Sequence, residues 1–300
     1  MARTSASTRR ARALRPNSPV GSWRPPAREG ISPRKTVLVG RVPADVAYWA
    51  ASAGDSPFSP GERLPAGRIL ERPVPAWYHP AVPPEPPIPF HYEVLYADRD
   101  LIVVDKPHFL PTTSNGRIVR ETVQTRLRVE YGEDEIVPLH RLDRLTSGVV
   151  VCSRNPATRR AYQELFARRK VHKEYHALVS SPLERAAGVV DLGMRKERGE
   201  RQVRVDPAGT RTRTWLEGRG DEVVLRPETG HTHQLRVLLN YLGSPIVGDD
   251  TYPVDKGLAL YDFSTPLALV ATSLWLRDPF TGKRRRFSIS RDWRGTLGQL

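Results

Sequence analysis

From Phe90 onward the sequence predicts an α+β domain, a long mixed or antiparallel sheet decorated by helices, preceded by an irregular Pro- and Arg-rich N-terminal segment. Three observations carry this reading. Stretches of strand length and strand composition recur between turn residues. Asn155-Pro156 is a helix start, with Asn as the cap and Pro at the first helical position. Leu235, Leu238, Leu239 and Leu242 fall at the spacing of one buried helical stripe.

Before Phe90 the pattern is different. Seventeen of the 28 prolines lie in residues 1–89, with no sustained helical or alternating period. Residues 1–35 hold nine basic side chains against the single acid Glu29, so they read as a disordered basic arm. Residues 36–89 read as an accessory segment and linker, mostly irregular, ending in the Pro-rich run 80–89. The main domain then spans 90–292, with a tail at 293–300. Within it, Glu93–Ala97 and Leu101–Asp105 form a hairpin through Asp98-Arg99-Asp100, leading to Lys106-Pro107. The helix opened by Asn155 runs to about Arg169. Strands follow at His172–Ser180, Thr210–Glu217 and Glu222–Arg226, then a helix from about Thr232 to Tyr241. A last hairpin pairs Ala268–Arg277 with Arg284–Ser288.

The chain has 300 residues, with 47 Lys and Arg against 33 Asp and Glu, a net charge of +14. About +8 of that belongs to residues 1–35, so the overall basicity alone does not establish a nucleic-acid partner for the main domain. One cysteine, Cys152, excludes an intrachain disulfide framework and fits a reducing, cytoplasmic setting. Placed after Val149–Val151, it reads as a small buried apolar residue. No run of ~18 apolar residues is present, so no membrane span is expected. The arm's Arg- and Ser-rich, acid-poor composition also fits an organelle transit peptide, but Pro16, Pro19, Pro25 and Pro26 interrupt any amphipathic helix. Nothing reads as a coiled coil, and a monomer is expected. A metal site from His231, His233 and Cys152 lacks ligand spacing, and none is expected.

The most informative stretch is Leu139-His140-Arg141-Leu142-Asp143-Arg144-Leu145-Thr146-Ser147-Gly148. It puts one carboxylate between two arginines, in a polar turn just before an apolar run, and the flanking guanidiniums are expected to hold Asp143 ionised. Such a group can attack, or stabilise positive charge, but is a poor proton donor. The string HRLDRLTSG resembles the signature of the RluA-type pseudouridine synthases, which isomerise uridine in ribosomal or transfer RNA. Four further stretches match in the family's order: His172–Val179, similar to KxYxALV; Leu225–Val237, similar to LxPxTGRxHQLRV; Gly243–Asp249; and Asp278–Lys283.

The resemblance implies that fold, an RNA substrate, ribosomal ahead of transfer RNA, and a reaction needing no cofactor. Uridine isomerisation breaks the bond from ribose to a ring nitrogen, turns the uracil and rejoins it through carbon, so no atom enters or leaves. It implies Asp143 as the catalytic carboxylate and Tyr175 as the pocket residue that stacks on uracil and serves the later deprotonation. It also implies Arg236 as the ion-pair partner that orients Asp143, with Leu235 packing on the base. Lys173 and Tyr175 share a strand face, so Lys173 is expected to help lower the phenol's basicity threshold. Arg141, with His140 and Arg144 beside it, is expected to fill the gap left by the flipped base or to hold phosphate. The turn from Thr229 to His233, with His231 where relatives carry Arg or Lys, is expected to offer backbone N–H groups to phosphate. Arg168, Arg169, Lys170, Arg284, Arg285 and Arg286 are expected to track the RNA backbone. Phe109 replaces glycine in the common KPxGL turn, so the loop from Pro107 to Asn115 is expected to differ in shape. The competing reading is a catalytically silent RNA-binding or ribosome-assembly factor on the same fold.

Overall fold

The computed structural model describes residues 23–114, 116–183 and 187–295. Most of the basic arm, Asn115 and the end of the tail therefore lie outside the described residues. The chain divides into two compact units: one ends at Ala81 and omits Glu29–Ile31, and the other holds those three residues and everything from Val82.

The first unit corrects the expectation of an irregular segment. β1 (Arg34–Arg41), β2 (Tyr48–Ala50), β3 (Arg63–Leu64) and β4 (Ile69–Tyr78) form an antiparallel sheet in the order β1-β4-β2-β3. Its inner face buries Leu38, Tyr48, Ala50, Leu64, Val74 and Ala76. Proline concealed β4, because a proline inside a run argues against a strand. Here Pro73 falls where the register between Leu38 and Gly40 shifts, and Pro75 stays in register opposite Val37 and joins the sheet through its carbonyl, which accepts from Ala51 N at 2.8 Å.

The second unit is built on eleven strands. In chain order they are β5 (Glu93–Ala97), β6 (Leu101–Lys106), β7 (Val137–Pro138), β8 (Ser147–Ser153), β9 (Val171–Leu178), β10 (Ala187–Arg195), β11 (Arg204–Val205), β12 (Thr210–Arg219), β13 (Glu222–Pro227), β14 (Leu269–Arg277) and β15 (Arg284–Ser288). The sheet runs β11-β10-β12-β13-β9-β14-β8-β6-β5, with β15 also on β14 and β7 also on β8. The β8–β14 pair is parallel and its neighbours are antiparallel, giving the mixed sheet the sequence predicts. Alternate residues of β6 and β8 feed two apolar clusters, Ile102, Val104, Val150 and Cys152 in one, Leu101, Val103, Val149 and Val151 in the other. Opposite faces of the sheet are thus both covered.

Three helices accompany it: α1 (Val123–Tyr131), α2 (Pro156–Ala167) and α3 (Gln234–Tyr241). Asn155 caps α2 by accepting from Ala157 N at 3.0 Å, as its sequence position demands. In α3, Leu235, Leu238 and Leu239 are buried as the stripe requires. That helix begins two residues later than expected because His233 takes a left-handed φ of 56°. α1 left no stripe to read, since Thr125 and Arg128 are among the residues it buries.

The register sets up the site. One cross-strand row runs Tyr175 (β9), Ala271 (β14), Gly148 (β8), Lys106 (β6). At Gly148, φ is 111° and an added Cβ would lie 2.2 Å from the Ala271 carbonyl oxygen. The lack of a Cβ at this position lets β8 approach β14 so closely. Gly148→Ala should therefore cost about 3 kcal/mol or more by overpacking and backbone strain combined. A urea melt within ~0.5 kcal/mol of wild type would show that the seam can open at no cost.

Candidate active site

Asp143 sits in the loop that feeds β8, and both of its flanks are pinned through main-chain bonds. Thr112 Oγ1 donates to Leu142 O at 2.9 Å and accepts from Leu142 N at 3.1 Å. Lys106 Nζ donates to the carbonyls of Pro107, Leu110 and Arg144 at 2.9, 2.8 and 3.2 Å. His108 Nδ1 donates to Leu145 O at 2.7 Å. His140 Nε2 accepts from Val151 N at 3.1 Å, and its ring stacks on Phe166. The loop backbone is anchored on both sides of Asp143, so its side chain, 38% exposed, is presented from a fixed frame.

It opens into a cleft of about 670 Å³, within the size range of small-ligand sites. Asp143, Tyr175, Lys173, Leu235, Arg236 and His233 all line it, as do Arg141, His140, Arg144 and His231. Ten residues scattered over a hundred positions of sequence thus converge on one cavity.

Several expected partnerships are rearranged. Arg236 does not pair with Asp143. Its guanidinium donates to Asp249 Oδ2 at 2.8 Å and Oδ1 at 2.5 Å, and to Asp250 Oδ1 at 2.8 Å. The reason is burial: the Asp249 side chain is 1% exposed and needs a compensating charge far more than half-exposed Asp143 does. Arg236 still lies near enough to stabilise the Asp143 charge through space. Nor do the flanking arginines hold Asp143. Arg144 donates to the carbonyls of Leu260 and Ala259 and lies over the Phe109 ring, while Arg141 is exposed at the cleft. Among the described residues, the one ion-pair-range neighbour of Asp143 is His233 Nε2 at 4.0 Å. His233 Nδ1 in turn meets Tyr252 Oη at 3.0 Å.

Lys173 does not ease deprotonation of Tyr175. Burial, and next the Asp143 carboxylate, push the phenol well above its ordinary value, and burial lowers Lys173 toward its neutral form. The phenol of the resting site therefore keeps its proton. The turn before α3 offers fewer free N–H groups than expected, because Gln234 Oε1 takes His231 N at 3.1 Å and Thr229 Oγ1 at 2.9 Å. Arg285 is not available to a nucleic-acid backbone either, being paired with Asp98 at 2.9 Å and Asp278 at 3.1 Å. Phe109 has φ of 67°, the region glycine would occupy, so the turn keeps its left-handed residue despite the substitution. Cys152 is fully buried, and burial raises its thiol to about 12.

Residues missed by sequence reasoning are Asp249, Asp250, Tyr252 and Lys106. Asp249 closes one of the matched motifs, which was the available signal. Lys106 is wholly buried. Burial lowers its ammonium to about 7, while the Asp143 charge acts the other way, as do the three carbonyls it contacts.

Residues 100–241 match the family described as RNA pseudouridylate synthase. The dual-specificity RNA pseudouridine synthase RluA of Haemophilus influenzae is 32% identical over 217 residues, covering 69% of this chain and 97% of that protein. The Salmonella typhi RluA is 34% identical over 211 residues, covering 67% and 93%. The chain belongs to the RluA-type pseudouridine synthases. Pseudouridylate synthase RPUSD2 of Mus musculus is 36% identical over 177 residues, but the match spans only 32% of that longer protein. The pseudouridine synthase fold is shared with human RNA pseudouridylate synthase domain containing 4, with a TM-score of 0.52 and 26% identity over 69% of this chain and 92% of that one. Human RNA pseudouridylate synthase domain containing 1 aligns with a TM-score of 0.54 at 24% identity, over 67% and 84%.

Two predictions follow from the charges that line this pseudouridine synthase cleft. Arg236→Ala leaves Asp249 buried without its fork, and should cost about 3–5 kcal/mol; a thermal melt matching wild type would place the charge compensation elsewhere. Burial also pushes His108 to about 4 and His140 to about 3, and lowers His233. As pH falls below ~6.5 the unfolded chain takes up protons at these imidazoles and the folded chain does not, so stability falls, by up to ~4 kcal/mol per pH unit while all three differ. Denaturant melts between pH 7 and 4.5 should show that loss, and His140→Gln should make it shallower; a flat profile would contradict the burial.

Proposed function

We propose that this chain isomerises specific uridines in structured RNA to pseudouridine, without a cofactor, with Asp143 as the catalytic residue. The observation that carries the proposal is Asp143 itself: a carboxylate held from both sides by main-chain bonds, bare of a guanidinium, and facing a cleft that also contains Tyr175 and Leu235. Each chemical route open to it, covalent addition to the sugar, covalent addition to the uracil ring, or removal of a sugar proton, requires an ionised carboxylate free of competing bonds. A uridine stacked in a helix cannot reach such a recessed group, so the target nucleotide is flipped out, at least cost from loops and bulges.

Tyr175 and Leu235 supply the apolar walls for the extruded base, and Arg141, exposed at the cleft, is placed to contact what the base leaves behind. The raised phenol has a consequence for the order of events. Part of what raises it is the negative charge of Asp143, and that charge is consumed when the carboxylate bonds to carbon or takes a proton. Tyr175 therefore gives up its own proton more readily only after Asp143 has acted, and the phenolate so formed is what could accept the proton from ring carbon 5 late in the reaction.

Ribosomal RNA is the substrate class we carry forward ahead of transfer RNA; both present uridines in loops. Mapping pseudouridine in total RNA from cells with and without the gene names the substrate by the site that disappears. Asp143→Asn should reduce pseudouridine formation by ~10²–10⁴-fold or more while RNA still binds. Wild-type protein that binds RNA but modifies no uridine would instead support a catalytically silent assembly factor.

A further inference from the structure

The first unit carries a second arrangement that the isomerisation does not use. On the sheet face opposite its core, one cross-strand row reads Lys35 (β1), Trp77 (β4), Trp49 (β2), Arg63 (β3). Strand alternation puts these four side chains on the same side, away from buried Ala50 and Ala76. The segment before β1 is strapped over this row: Trp77 Nε1 donates to Trp23 O at 3.0 Å, and His79 Nε2 lies 2.9 Å from Pro26 O. The strap sets one guanidinium over each indole, Arg24 at 5.6 Å from the Trp77 ring and Arg28 at 5.3 Å from the Trp49 ring, and Lys35 also lies 5.9 Å from the Trp77 ring.

A guanidinium stacked on an indole has its rotamers restricted while its edge N–H groups point outward, so it meets an anion with less ordering cost than a free arginine. These cations are also uncommitted. Within this unit Arg68 is paired with Glu62 at 3.8 Å, whereas Arg24, Arg28, Lys35 and Arg63 have no carboxylate within ion-pair range among the described residues. Arg24, Arg28, Lys35 and Arg63 are exposed. The stretch 23–81, leaving out 29–31, holds eight Lys and Arg against four Asp and Glu, and residues 1–22, which join it directly, add five arginines and no acid.

We propose that this tryptophan-backed row is a binding site for the phosphodiester backbone of RNA, separate from the cleft that takes the uridine. The indoles, already covered by guanidiniums, serve as supports; phosphate oxygens are the ligand, and base identity is not read there. The proposal rests on the reading that the substrate is RNA, and it assigns the first unit the task of adding affinity that the chemistry at Asp143 does not require.

The test uses the full-length protein and a labelled oligouridylate of roughly 20 nucleotides, with binding followed by fluorescence anisotropy across a salt series. Arg24→Ala/Arg28→Ala should lower the log–log salt slope by about 1.4 and weaken binding about 10-fold or more near 0.1 M salt. Arg68→Ala/Arg160→Ala removes the same charge from arginines already paired with Glu62 and Glu164, and should leave the slope near the wild-type value. Equal slopes for wild type and the first variant would overturn the proposal, and so would equal losses in both variants, which would reduce the effect to bulk charge. A larger loss on phosphatidylserine vesicles than on RNA would replace RNA by a membrane surface and overturn it too. The catalytic reading is tested separately: if the wild type makes no pseudouridine yet the slope drops as stated, the backbone site stands and the enzyme reading falls. If Asp143→Asn abolishes product while the slope stays put, the reverse holds.

Discussion

The catalytic unit depends on the parallel contact between β8 and β14, where Gly148 lies against Ala271 with no room for a side chain. β14 is held on its other side by β9, and β8 by β6, so this seam joins the strand carrying Tyr175 to the strand fed by the Asp143 loop. Widening it would move the carboxylate and the phenol apart together with the two strands. Because backbone meets backbone there, the seam sets their separation more firmly than side-chain packing would.

Around that seam, charge is distributed according to burial. Among the described residues the buried carboxylates are each answered: Asp249 by Arg236, Asp105 by Arg291, Asp278 by Arg285. Asp143, by contrast, has no Lys or Arg within ion-pair range among the described residues, and it keeps contact with solvent instead. Reactivity follows, since an unbonded oxygen can approach a sugar carbon or proton while one locked in a bidentate fork cannot. Arg236 contributes at a distance, as a fixed positive charge already committed to Asp249. The buried imidazoles add little opposing charge, because burial favours their neutral forms.

The departures from the family pattern show how neighbours absorb a local cost. Phe109 takes the left-handed conformation that glycine would adopt without strain, at a cost of about 1–2 kcal/mol. Its ring packs on Phe90 and Phe263, with centroids 5.5 Å away in each case, and contacts of that kind return about 0.5–1.5 kcal/mol each. At position 231 the imidazole has no such support, and its backbone N–H is used by Gln234, so the turn closes on itself before α3.

Much of the architecture could be read from the sequence, because its signals are local. The hairpin ahead of Lys106, the Asn155 cap, the leucine stripe of α3 and the final hairpin each depend on spacing within a few residues. The same holds for the site's membership, since short motifs carry Asp143, Tyr175, Leu235 and Arg236 into one cleft in the order the family resemblance implies. The tertiary structure alone decided who pairs with whom. Arg236 turned to Asp249 and Arg144 to carbonyls 115 and 116 positions along the chain, because the cost of an uncompensated charge depends on burial, which neighbours in sequence do not report. It also decided that residues 36–78 form a sheet, since a proline forbids a strand only where the ladder needs its N–H, and that is settled by strands far away in the chain.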